Sequence, residues 1–113
     1  MKPELNPGEI YVGRINETHV ILLPGDNDDA SWQDAMDWAK SIGGDLPNRI
    51  EQSMLWANHR KQFEEDWYWS NETHHKNDAY AWCQGFYGGY QDYGHKGSHG
   101  CRARAVRRLE ITE

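Results

Sequence analysis

The sequence predicts an α+β fold, and three observations carry that reading. Two early runs of β-branched and aromatic residues flank a short polar turn. The middle of the chain repeats apolar residues at helical spacing behind good capping residues, and the last third alternates large and small side chains with the period of a strand. With 113 residues there is room for one domain, 1–113, and little more.

Residues 1–9 contain Pro3, Pro7 and Gly8 and read as a loose lead-in. Ile10 to Ile15 and Thr18 to Leu23 then form a hairpin around Asn16-Glu17. Pro24-Gly25 ends it, and Asp26 to Asp29 should be an exposed loop. Ser31 caps a first helix whose positions Trp32, Ala35, Met36, Ala39 and Ile42 share one face, with Gly43-Gly44 as its stop. Pro47 disfavours helix at Leu46, so a second helix starts sharply at Asn48, with Glu51 completing a capping box. Its core-facing residues should be Ile50, Met54, Ala57 and Phe63.

After Glu64-Glu65-Asp66 the pattern turns extended. Trp67 to Ser70 is one strand, and Ala79 to Tyr87 is another, with Tyr80, Trp82, Gln84 and Phe86 opposite Ala81, Cys83, Gly85 and Tyr87. Cys101 to Leu109 is a third, its small residues Cys101, Ala103 and Ala105 opposite Arg102, Arg104 and Val106. Small faces let a helix approach closely. Gly88 to Gly100 is too glycine-rich for regular structure and should be a loop, as should Asn71 to Asp78.

Composition narrows the function. The residues are 37% hydrophobic with a mean hydropathy of -0.99, so a core must lean on large rings, and six Trp and six Tyr supply them. A formal charge of -6 argues against nucleic-acid binding, and the arginines Arg102, Arg104, Arg107 and Arg108 read as strand-face charges. No apolar run is long enough to span a bilayer, so no membrane partner is expected and the protein should be cytoplasmic at synthesis.

The order hairpin, helix, GGDLPNRIEQ, helix, WYWSNE, YAWCQGF and CRARAVRRL resembles a small family of phage and prophage domains of unassigned function, related to the C-terminal domain of a collagen-like bacterial adhesin. The resemblance implies a C-type-lectin-like fold: two helices packed on a small, mostly antiparallel sheet with long loops. The signatures of the lectin calcium site are absent, since Leu46 precedes Pro47 and Ser70-Asn71 follows Trp69, so calcium-dependent sugar binding is not expected. Cys83 and Cys101 are either buried thiols or, as in C-type lectins, a loop-bracing disulfide.

Tyr87, Tyr90 and Tyr93 interleave with glycine and serine, a mixture that sets rigid aromatic anchors on adaptable backbone. The expected function is therefore a non-catalytic binding module whose site comprises Trp69, Asn71, Tyr87, Tyr90, Tyr93 and His95. Its ligand would be a protein, such as a host bacterial protein, or a glycan. The same face would serve an intracellular inhibitor of a host protein, or a homo-oligomeric or virion assembly. No nucleophile elbow, phosphate loop or dinucleotide fingerprint is present. The histidines His74, His75, His95 and His99 have poor metal-ligand spacing, and no metal or other cofactor is expected.

Overall fold

The computed structural model describes residues 3–111; Met1, Lys2, Thr112 and Glu113 lie outside it. Strands β1 (Ile10–Ile15) and β2 (Thr18–Leu22) form the expected antiparallel hairpin, turning at Asn16, whose φ of 53° suits a short polar side chain. Helices α1 (Trp32–Ser41) and α2 (Arg49–His59) follow, the second continued by a 3-10 turn over Arg60–Gln62. Then come β3 (Trp67–Thr73), β4 (Tyr80–Gly85), β5 (Gln91–His95) and β6 (Val106–Glu110). The strands make two three-stranded antiparallel sheets in the orders β1-β2-β6 and β3-β4-β5, where one sheet was expected. The chain is thus α+β, with the last strand returning to the opening hairpin.

Both helix starts follow from local chemistry. The Asp34 amide donates to Ser31 Oγ at 3.3 Å. At α2 the Glu51 amide donates to Asn48 Oδ1, and the Asn48 amide donates to Glu51 Oε1, each at 2.8 Å. Asn48→Ala is expected to cost about 1 kcal/mol, read as a lower urea midpoint with an unchanged slope. Gly43, at φ +88°, lets the chain turn out of α1. The helix ends one residue before Ile42, which is 40% exposed and leaves the apolar stripe.

The buried face of α2 differs from the expected one. Ile50 and Ala57 are exposed, while Glu51, Gln52 and Leu55 are buried. Polar burial here draws on hydrogen bonds: Gln52 Nε2 donates to the Tyr68 carbonyl at 3.1 Å, although Gln52 Oε1 has no partner among the described residues, and Glu51 meets Arg108. Met54 is half-buried and Phe63 is buried, as expected.

Two apolar clusters hold the elements together. One gathers Ala35 and Ala39 of α1 with Trp69, Ala81, Cys83, Cys101, Ala103 and Ala105, so the small faces admit the helix as anticipated. The other contains Val20, Leu22, Leu55, Val106 and a ring group in which Phe63 stacks on Phe86 at 3.9 Å and Tyr68 meets both edge-on.

Three further expectations are corrected. Residues 88–100 are not an irregular loop, because Gln91 to His95 pair with β4 in register, from Gln84↔Gln91 to Tyr80↔His95. Likewise β3 runs on to Thr73, which shortens the loop expected from Asn71. Residues 101–105 are extended but make only single bridges, Arg102 to Tyr68 and Ala103 to Asn27, before β6 begins at Val106. This segment crosses from one sheet to the other. Arg104 is accordingly buried, donating to the carbonyls of Gln62 and Leu23, and burial pushes its pKa down. The lead-in is also tied down from Glu4, since Arg107 donates to the Glu4 carbonyl and to both Glu9 carboxylate oxygens.

Candidate binding face

Alternation along β4 points Ala81, Cys83 and Gly85 inward and places Tyr80, Trp82 and Gln84 on the opposite face. The register of β5 adds His95 beside Tyr80, Tyr93 beside Trp82 and Gln91 beside Gln84. At the Gln84 end this face is covered by α2. Beyond the helix it is open, with Tyr80 and Trp82 half-buried and Tyr93 and His95 exposed.

The open part is a continuous set of rings. Tyr93 meets Trp82 edge-to-face at 5.5 Å and Tyr80 at 5.7 Å, and Tyr80 meets His95 at 5.6 Å. From the loop after β3, His74 lies 4.3 Å from Tyr93 and stacks on His75 at 4.7 Å. From α2, the Arg49 guanidinium lies over the Trp82 ring at 3.6 Å. The His74 pKa is lowered, chiefly by desolvation and then by the charges of His75, Lys76 and Arg49, so its imidazole is largely neutral at pH 7.

The residues expected to form the site do not share this surface. Tyr93 and His95 belong to it, as strand residues and not as loop residues. Trp69 leaves the candidate surface, because its side chain is wholly buried and its indole N–H donates to the Ala30 carbonyl at 3.1 Å. Asn71 is half-buried and donates to Asp45 Oδ2, a structural bond. Tyr87 is exposed but packs edge-on against Trp67, which points to the other face of the sheet. Tyr90, 72% exposed, sits in the β4–β5 turn, where Gly89 at φ +80° lies so close to the Trp56 indole that a Cβ would clash at 2.6 Å. The residues missed were Tyr80, Trp82, His74 and Arg49. Alternation already set Tyr80 and Trp82 on one face; the absent clue was the β5 register that puts Tyr93 and His95 beside them.

The C-terminal arginines are consumed by internal partners. Arg102 pairs with Asp26 at 2.9 Å, Arg107 with Glu9 at 2.9 Å, and Arg108 with Glu51 and Asp45 at 2.7 Å each. The Arg107 pair holds the Glu9 carboxyl well below its usual range, at about 2.

Cys83 Sγ and Cys101 Sγ lie 3.0 Å apart as free thiols, at the floor of a cleft of about 230 Å³ bordered by Trp67, Asp92 and Gly100. Their mutual hydrogen bond, then burial, pushes the Cys83 thiol up. Native protein at pH 8 is expected to react slowly with an aromatic disulfide reagent, whereas denatured protein without reductant should titrate two thiols. Zero thiols in denaturant would instead reveal a disulfide. The histidines do not converge on this pair, and among the described residues no three His, Cys, Asp or Glu side chains gather as a metal-binding group. Among the same residues no helix is long and apolar enough to cross a membrane.

Neither a family model nor a curated protein matches the chain.

Proposed function

We propose that the chain is a non-catalytic, phage- or prophage-type binding module of C-type-lectin-like architecture, recognising a protein or glycan through the open face of β4 and β5. The order of hairpin, two helices and later strands, with both sheets antiparallel, supports the architecture. Architecture does not fix function, so the reading rests on the site. The observation that carries it is the Trp82–Tyr93 pair, flanked by Tyr80, His74, His95 and Arg49, with Trp82 half-buried and Tyr93 exposed. Aromatic anchors of this kind dominate binding energies at interfaces.

An affinity capture from bacterial lysate, run beside a glycan array, tests the reading. A Trp82→Ala, Tyr93→Ala variant should lose ligands that the parent retains, while Tyr87→Ala, Tyr90→Ala should keep them. Equal capture by a folded Trp82→Ala, Tyr93→Ala variant would remove this face from consideration. A second reading, self-assembly, is favoured by Tyr87 and Tyr90, which are exposed away from that face. Light scattering addresses it directly, and a strict monomer at high concentration counts against it.

A further inference from the structure

Arg49 differs from the arginines at the chain's end. Among the described residues no carboxylate pairs with its guanidinium, although Arg14, Arg102, Arg107 and Arg108 all have such partners. It is nonetheless held in place. Its plane lies on the Trp82 ring, and its Nε donates to Gln91 Oε1 at 2.9 Å. Gln91 is fixed in turn, its amide donating to the Arg49 carbonyl at 2.8 Å and to Oε1 of buried Gln84 at 3.0 Å. Gln84 anchors the chain of bonds through the carbonyls of Gly85 and Tyr90. The two terminal nitrogens, the pair that suits a bidentate acceptor, have no hydrogen-bond partner among the described residues.

We propose that Arg49 is a carboxylate-binding residue and that the open face takes an acidic polypeptide segment. The inference rests on the reading that this face binds a ligand, and it adds the ligand's chemistry. Arg49 and Lys76 stand beside the rings, a local cationic patch on a chain of net charge -6. Nearby Glu72 borders the open cleft of about 370 Å³ beside Arg49, but its carboxylate accepts the Arg49 backbone N–H at 2.8 Å and is not paired with the guanidinium. A prepositioned fork loses little entropy on meeting a carboxylate, which is what an unpaired but immobilised arginine provides. The rings favour a peptide over an acidic sugar. Trp82 has a guanidinium on its face, and the Trp82–Tyr93 and Tyr80–Tyr93 pairs stand at 85° and 87°, so the surface offers crevices for side chains and no flat platform for a pyranose.

Titration with a defined peptide alternating glutamate and tyrosine tests this, with its glutamine-for-glutamate counterpart and oligogalacturonate as the comparison arms. Binding of the acidic peptide should fall about tenfold or more in Arg49→Gln, the worth of a hydrogen bond to a charged group, and should weaken with added salt. Arg60→Gln is the matched control: Arg60 also lies over a tryptophan, Trp56, at 4.0 Å, but outside this face. It should bind like the parent. Gln91→Glu gives a second route, placing a competing carboxylate at the fork, and should weaken binding too. Equal binding of the glutamine peptide, equal binding by Arg49→Gln, binding of oligogalacturonate alone, or no binding of the acidic peptide each overturns the proposal. The broader reading fails separately, through unchanged lysate capture by the Trp82→Ala, Tyr93→Ala variant.

Discussion

Trp69→Ala is expected to destabilise the protein by about 3–5 kcal/mol, the range for truncating a large buried aromatic. Trp69 is wholly buried at the centre of the cluster formed with α1, beside Ala35, Ala39, Ala81, Cys83 and Ala103. The alanines among those neighbours are too short to fill the space an indole leaves. Substitution also removes the donor to the Ala30 carbonyl, itself buried where the chain enters α1. Domains of this size have about 5–15 kcal/mol to lose, so the variant should show a much lower urea midpoint or fail to fold at ambient temperature. Trp82→Ala, on the open face, should cost about 1 kcal/mol. A Trp69→Ala midpoint equal to that of the parent would contradict the packing described.

Arg108→Ala should carry the second large penalty, about 3 kcal/mol, because it strips the partner from a buried charge. Two guanidinium nitrogens of Arg108 donate to Glu51 at 2.7 Å, a third contact reaches Asp45 at 2.7 Å, and a fourth reaches the Leu46 carbonyl at 3.1 Å. The Glu51 side chain is only 3% exposed, so water cannot replace the lost contacts. The same carboxylate accepts the Asn48 amide, which ties the α2 cap to β6. A double-mutant cycle separates the pair from its surroundings. Arg108→Ala with Glu51→Gln should be less destabilised than the two single losses together, and strict additivity would show that the pair carries no coupling.

Local chemistry made much of the fold readable. The hairpin around Asn16-Glu17, the Ser31 and Asn48 caps and the turn at Gly43 each depend on a few adjacent residues. What stayed hidden depended on distant partners. Glycine-rich residues 88–100 read as loop, yet β5 forms because β4 presents a strand edge and Gly94 accommodates the inner face against Trp69. Glu51 and Gln52 were not among the core-facing positions expected on α2, and they are buried because Arg108 and the Tyr68 carbonyl receive them. At the site, tryptophans with similar sequence surroundings separate into opposite roles, Trp69 facing the core and Trp82 the open face. Strand parity sets the two apart, and parity across strands depends on register.

The pairing of β2 with β6 joins positions far apart in the sequence, as in Val20↔Arg108. During synthesis the opening hairpin therefore lacks its third strand until β6 has left the ribosome. Leu22, Val20 and their apolar neighbours remain without their final cover throughout that interval. A nascent chain stalled before Val106 is thus expected to be a client for holding chaperones, and refolding of the full chain should be limited by this distant closure more than by either helix.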